Sequence, residues 1–285
     1  MMNNGLQCIT DIPTDKRLCA LIDLDGTMFH GSQMIAGADQ LVTALHEMNI
    51  PLLFVTNNST RTPDQVADLL RSMGIPASIN DVVTSSQAAA DYIAEHYSHE
   101  RVYMIGEQGL KQALTDANID WTSNPEEVYQ DNGIKVVVQG LDREMTYEKL
   151  EAAAIAIRNG AAFIATNPDL MLPSDKGISP GAGTLAAAIQ AASGTDPIFM
   201  GKPHRIIMDV ALKRMGCTAD DAIVIGDNML TDMMAGINAG CYTALVLTGV
   251  TTTSNLAFYI EKIGASPDLI CDNLAVMKQW FESRL

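Results

Sequence analysis

The sequence predicts a doubly wound α/β protein, with a Rossmann-like parallel-sheet core into which a smaller α/β domain is inserted. Three observations predict it. Apolar runs of strand length alternate with helix-period segments along the chain, the pattern of a mostly parallel sheet with helices on both faces. Four of those runs end in polar clusters, where the strands of such sheets present their ligand-binding ends. Between Thr56 and Lys202 lie 145 residues (57–201), although a core sheet needs only one or two βα units there.

The elements follow in order. Leu18-Cys19-Ala20-Leu21-Ile22 reads as a buried parallel strand and runs into Asp23-Leu24-Asp25-Gly26-Thr27. A flap-like stretch over 28–36 and a helix over 38–48 come next. The strand Leu52-Leu53-Phe54-Val55 ends in Thr56-Asn57-Asn58-Ser59. Thr62-Pro63-Asp64-Gln65 is a capping box that opens a helix over 64–73, and Gly74 stops it. A short strand is predicted at 82–84. Within the long interval, strands are predicted at 101–105, 135–139 and 162–166, and helices over 86–96, 109–117 and 147–159. The inserted domain therefore lies near 85–182, and 1–84 with 183–285 form the core. Ser179-Pro180-Gly181-Ala182-Gly183-Thr184 lacks the Lys-Ser/Thr pair of a P-loop and the spacing of a dinucleotide fingerprint. It reads as a hinge into an Ala-rich helix over 185–192. The strand Ile198-Phe199-Met200 ends in Gly201-Lys202-Pro203, and a helix over 205–215 follows. Ala222-Ile223-Val224-Ile225 ends in Gly226-Asp227-Asn228, with Asp232 five residues past Asp227. A helix over 231–239 and a strand over 242–247 complete the reading.

Composition narrows the function. At 285 residues and 30.6 kDa, with 47% hydrophobic residues, the chain is long enough for two compact domains or one large one. No apolar run approaches the ~20 residues of a membrane span. Met1-Met2-Asn3-Asn4-Gly5 shows no basic region followed by an apolar one, so no signal peptide is read. A net charge of −16 disfavours a nucleic-acid duplex, which needs clustered Lys and Arg, though a mobile nucleotide remains compatible. Cys8, Cys19, Cys217, Cys241 and Cys271 are scattered, with no C-x-x-C. An unpaired set fits a reducing cytoplasm, with Cys19 as core packing. The five histidines show no metal-ligand spacing, and His30 and His204 are weighed only as further contacts. A homo-oligomer is compatible with this composition.

The chemistry lies in the four clusters. Two carboxylates about 4 Å apart repel by roughly 4 kcal/mol at an effective dielectric near 20. A hard dication such as Mg²⁺ is the simple remedy. Each cluster has a bland reading as well. Asp-x-Asp-Gly and Gly-Asp-Asn serve as turns, Thr-Asn-Asn-Ser as a loop and cap, and Lys202 as a solvated lysine. Their coincidence at four strand ends argues for a site: two acids, a hydroxyl with amides, an amine, and two more acids.

That order resembles the haloacid dehalogenase-like superfamily of aspartyl phosphotransferases over nearly the whole chain. Val55 to Ser59, Ala165-Thr166-Asn167-Pro168-Asp169 and Gly201-Lys202-Pro203 resemble its type IIA branch. That branch holds NagD-like nucleotidases and p-nitrophenyl, pyridoxal phosphate and phosphoglycolate phosphatases. The resemblance makes the insertion a type 2 cap. It implies a phosphomonoester hydrolase in which Asp23 becomes phosphorylated and Asp25 serves as acid, then base. Mg²⁺ would be held by the Asp23 carboxylate, the Asp25 backbone carbonyl and Asp227. Thr56, Asn57, Asn58 and Lys202 would receive the phosphate. Asp232 and Asn228 would stand behind them, with Asp232 orienting Lys202 or a metal-bound water. A carboxylate at position 25 separates this chain from the dehalogenases and the ion-pumping ATPases. A phosphomutase, or a phosphate-binding module without activity, shares the motifs. The cap loop Asp169 to Asp175 is implied to choose the leaving group. Its Met171 stands near where the vitamin-B6-phosphate phosphatases carry His, and it has no Arg or Lys. Nucleoside monophosphates or sugar phosphates are therefore preferred over pyridoxal phosphate or phosphoglycolate.

Overall fold

The computed structural model describes residues 5–10, 12–14, 18–130, 133–174 and 177–284. Met1–Asn4, on which the leader reading rests, and Asp175 of the cap loop lie outside the described residues. The chain divides into two compact units, one of Met1–Thr56, Asp64–Val83 and Lys202–Leu285, the other of Asn57–Pro63 and Thr84–Gly201.

The first unit carries a seven-stranded sheet. Its order is Leu6–Cys8, Leu269–Cys271, Tyr242–Val246, Ala222–Gly226, Cys19–Ile22, Leu52–Thr56 and Val82–Thr84. Cys19–Ile22 lies between Ala222–Gly226 and Leu52–Thr56, parallel to both. All three strands are buried throughout, as their unbroken apolar runs demand. Ile22 pairs with Ile225 on one side and Phe54 on the other. That register brings Asp23, Thr56 and Asp227 to one sheet end. The helices Ala38–Glu47 and Leu274–Glu282 pack together on the sheet, and Ile206–Met215 packs against Leu52–Thr56. Pro63–Ser72 buries Val66, Ala67 and Leu70, an i, i+1, i+4 stripe. Gly74 ends that segment at φ +82. The sequence reading omits the antiparallel edge strand Leu6–Cys8, the helix Leu256–Ile263, and everything after it. These elements are three to nine residues long and lack the long apolar runs that mark the central strands.

The second unit has its own parallel sheet, ordered Ile198–Phe199, Ala162–Ala165, Ile134–Gln139, Arg101–Ile105, Trp121–Thr122. Two readings change here. Ile198–Phe199 is not a core strand: it pairs with Ile164 and Ala165, so the second unit runs on to Gly201. The glycine-rich stretch is not a hinge either. Gly177–Pro180 is a strand antiparallel to Met171–Ser174, and the next helix starts at Ala182. A Cβ at Gly181 would lie 2.1 Å from the Asp169 carbonyl oxygen, and one at Gly183 2.2 Å from that of Pro168. Those glycines make room for backbone, not for phosphate.

Cys19 and Cys217 form a disulfide, which corrects the reading of five unpaired cysteines. The turn after helix Ile206–Met215 brings Cys217 to the central strand, 198 residues away in sequence. The cytoplasmic location read from unpaired thiols loses that support. Cys8, Cys241 and Cys271 remain thiols, and burial pushes those of Cys241 and Cys271 up to about 12. Among the described residues no helix is long and apolar enough to cross a membrane.

Candidate active site

Asp23 is the first residue past the central strand, and its N–H donates to the Ile225 carbonyl at 2.8 Å, continuing the ladder. The chain then turns sharply. Gly26 sits at φ +90, a conformation that other residues adopt only with strain, and its N–H donates to Phe29 O at 2.8 Å. The turn carries Thr27 inward. Its hydroxyl lies 3.2 Å from Asp23 Oδ2 and 3.2 Å from Asp227 Oδ1, so it bridges the two carboxylates.

Lys202 is 2% exposed and spends all three of its donors. They go to Asp23 Oδ1, to Asp232 Oδ1 at 2.8 Å and to Val55 O at 3.0 Å. Burial works against its ammonium, but Asp23 and Asp232 outweigh burial and raise its pKa. Asp232 reaches this position through a π-type turn over Met229–Met233, where the Met233 N–H donates to Asn228 O at 3.3 Å. The sequence reading begins an ordinary helix at 231; the α-helix itself spans only Met234–Ala239. Asn228 fixes the turn at both ends. Its side chain accepts from Leu230 N–H at 2.9 Å, and its own N–H donates to Asp232 Oδ2 at 3.1 Å.

Ligand atoms of Asp23, Asp227 and Asp232 lie within 4.8 Å of one another. Burial first, and then the neighbouring carboxylates, raise Asp23 well above the usual carboxylate range. The same causes push Asp227 up to about 6, against donors from Val250 and Thr27 that hold it down. Three crowded oxygen donors with two raised carboxylates are the environment a hard divalent cation relieves.

The Asp25 side chain is exposed and its carboxylate stands outside this cluster, for which the sequence reading assigned only its backbone carbonyl, while Asp232 lies beside Asp23 and Asp227 with its Oδ1 on Lys202. Thr56 is buried at the end of Leu52–Thr56. Asn57 and Asn58 belong to the second unit. The Asn57 amide donates to Asp169 Oδ2 at 3.0 Å, and its carbonyl accepts from Ser85 Oγ and Asn167 Nδ2. Asn58 Oδ1 accepts from the N–H groups of Thr60 and Arg61 at 2.9 and 3.0 Å. Its amide oxygen therefore caps its own loop, the bland alternative for that cluster. Met171 is 66% exposed on the hairpin of the second unit. His30 Nε2 lies 2.9 Å from Thr248 O, and burial lowers the pKa of His204.

The sequence reading missed Thr27 and the segment 248–251. Val250 N–H donates to Asp227 Oδ2, Thr251 N–H donates to Asp227 O at 3.0 Å, and Thr251 Oγ1 accepts from Met229 N–H at 3.2 Å. Thr248-Gly249-Val250-Thr251 follows the strand Tyr242–Val246 closely, so it is a fifth polar cluster at a strand end. The rule that found the other four would have found it. A Cβ on Gly249 would lie 2.0 Å from Asp227 Oδ2. Gly249→Ala is therefore expected to displace that carboxylate and weaken activation by a divalent cation roughly 10- to 100-fold. Activity titrated with Mg²⁺ measures it, and an unchanged half-activating concentration would refute the role assigned to this segment.

Two family models match the chain: "Haloacid dehalogenase-like hydrolase" over residues 20–120 and "HAD-hydrolase-like" over 199–277. A 5'-nucleotidase of Bacillus subtilis, YutF, is 44% identical over 242 residues, covering 85% of this chain and 91% of that protein. An acid sugar phosphatase of Staphylococcus epidermidis is 46% identical over 236 residues, covering 83% and 88% respectively. Among solved structures, the p-nitrophenyl phosphatase of Archaeoglobus fulgidus superposes with a TM-score of 0.86 at 33% identity, over 93% of this chain and 99% of that one. A thermostable enzyme of Geobacillus stearothermophilus, described as an NPPase, gives 0.81 at 43% identity, over 91% and 97%.

Proposed function

The chain belongs to the haloacid dehalogenase-like hydrolases, in the type IIA branch with the NagD-like and p-nitrophenyl phosphatases, and from that premise we propose a Mg²⁺-dependent aspartyl-phosphate mechanism for this phosphatase. Its preferred substrates in this reading are nucleoside monophosphates or sugar phosphates, the substrate classes named for two relatives. The observation that carries the mechanism is the Lys202 ammonium held against the buried Asp23 carboxylate at the end of the central strand.

An Asp23 oxygen attacks phosphorus, the ester P–O bond breaks, and the leaving oxygen takes a proton from the Asp25 carboxylic acid. Water then attacks the phosphoaspartate and gives its proton to Asp25. The bond from phosphorus to the Asp23 oxygen breaks, releasing phosphate. Lys202 and Thr56 neutralise phosphoryl oxygens, since positioning and stabilisation of spread charge supply most of the catalysis in phosphoryl transfer. With Asp232 behind them on Lys202, the Asp23 and Asp227 carboxylates and the Asp25 backbone carbonyl are the groups that would hold Mg²⁺. When bound, it adds positive charge where phosphate charge accumulates. The cap loop around Met171 remains our candidate for selecting the leaving group.

Activity is expected to vanish in excess chelator and return with Mg²⁺, measured with p-nitrophenyl phosphate. Full turnover in chelator would sink the metal assignment. The same site sets a pH signature. Asp227 rises from 3.8 to about 6 on folding without metal. Its contribution to stability is present below pH 3.8 and is lost as pH rises through 6, roughly 3 kcal/mol in all. The rise in Tm on adding Mg²⁺ should therefore be small near pH 4.5 and larger above pH 6, about where Asp227 ionises. A Tm increment independent of pH would contradict it. Ranking kcat/KM over a panel of phosphomonoesters tests the substrate class, and transfer of phosphate to a second sugar hydroxyl in place of water would reveal a mutase.

A further inference from the structure

The second unit holds a cavity of about 560 Å³ that none of the residues assigned to the phosphatase site lines. Its place in the sheet is informative. From Arg101–Ile105 the chain passes to the outer neighbour Trp121–Thr122, whereas from Ile134–Gln139 it passes to Ala162–Ala165 on the other side. The crevice past the carboxyl ends of Arg101–Ile105 and Ile134–Gln139 is therefore a topological switch point, where open α/β sheets bind ligands. Gly106 and Glu107 line the cavity from one strand, Asp142 and Arg143 from the other. The volume suits a small molecule.

The charges around it define the ligand. Arg143 Nη1 donates to both oxygens of Glu107, at 2.7 and 2.9 Å, and Lys149 Nζ to the buried Asp142 at 2.8 Å. Those four cancel in pairs. Left over on the wall are Lys111 and Glu144, whose side chains make no ion pair or hydrogen bond among the described residues. The Glu144 backbone is fixed: its N–H donates to Asp142 Oδ1 at 2.9 Å and its carbonyl accepts from Lys149 at 3.1 Å. Lys111 Nζ lies 5.8 Å from the centre of the Trp121 ring, which also lines the cavity. An aromatic face, one cation and one anion are thus gathered at a ligand-binding position. A fully anionic ligand would meet the long-range repulsion of a chain of net charge −16; a zwitterion would not.

We infer that this cavity is a second, non-catalytic site for a small zwitterion bearing an aromatic ring, the chemistry of an aromatic α-amino acid. The ring packs on Trp121, the carboxylate meets Lys111 and the ammonium meets Glu144. Calorimetric titration of the full chain with L-phenylalanine tests it, beside glycine, 3-phenylpropionate and 2-phenylethylamine as partial ligands. Phenylalanine should bind saturably and at least about tenfold more tightly than each partial ligand. K111Q and E144Q should each weaken it about tenfold or more while leaving p-nitrophenyl phosphate hydrolysis unchanged. No saturable heat up to about 10 mM, or binding untouched by both variants, overturns the inference. So does 3-phenylpropionate binding as tightly as phenylalanine, which would make the cavity an anion site. Loss of phenylalanine binding in Lys202→Met but not in K111Q would move the ligand to the phosphatase centre, and also overturns it.

Discussion

Asp23→Asn is expected to reduce kcat by roughly 10⁴- to 10⁶-fold, the scale on which removal of a covalent nucleophile is felt. The amide is close to the carboxylate in shape and can keep the Thr27 contact, so the loss is chemical. A neutral amide does not form the bond to phosphorus, and no acid-stable, base-labile phosphoprotein should accumulate. Stability should move differently. Burial and the Asp232 and Asp227 carboxylates make ionised Asp23 unfavourable, with Lys202 opposing them. Removing its charge relieves the crowding, so the metal-free variant should melt near the wild-type temperature while its gain on adding Mg²⁺ shrinks. Turnover within tenfold of wild type, or a trapped phosphoprotein, would show that another group is the nucleophile. A collapse of Tm by itself would mean that Asp23 holds the fold as well as the chemistry.

The parts of this protein that were legible in its sequence are those where local chemistry and position coincide. Cys19–Ile22, Leu52–Thr56 and Ala222–Gly226 are buried at every position and carry unbroken apolar runs because both faces of the sheet are covered, so each announces itself without an alignment. Asp23, Thr56 and Asp227 could be assigned to one sheet end because parallel strands share a polarity. What escaped depends on tertiary pairing. Ile198–Phe199 has the composition of any short strand, and only its bonding to Ala162–Ala165 places it in the second sheet. Asp232 comes beside Asp23 and Asp227 through the π-type turn, and the turn at Gly26 leaves the Asp25 side chain exposed. The Asp-x-Asp-Gly turn could be read in advance, whereas the π-type turn has no spacing that announces it. The Cys19–Cys217 pairing joins residues 198 apart in a chain of 285 and has no local signature at all.

Lys202→Met removes the positive charge that balances Asp23 and Asp232, and its expected cost in stability is the larger for it. The side chains are similar in length and the methionine is comfortable in a buried slot, so packing is largely conserved. The electrostatics are not. Asp23 and Asp232 lose their shared counter-charge and the Val55 carbonyl loses its donor at 3.0 Å, all in a place where Lys202 is 2% exposed. Breaking a buried pair by removing one partner costs about 3–5 kcal/mol, because the remaining charge stays uncompensated. The deficit should depend on pH with a definite sign. Lys202 is one of the groups that lower the pKa of Asp23, so its loss moves that carboxylate further up. Protonation then removes the unpaired charge, and the deficit should be greatest at pH 8 and smaller near pH 5. Turnover should fall by about 10²- to 10³-fold, as when a donor to a developing oxyanion is lost. Lys202→Arg should not restore it, since a planar fork is not a substitute for three donors spread around one nitrogen. Urea unfolding of the metal-free variant at both pH values provides the measurement. A loss below about 1 kcal/mol at pH 8 would mean that the carboxylates find other partners, and that Lys202 serves phosphate alone.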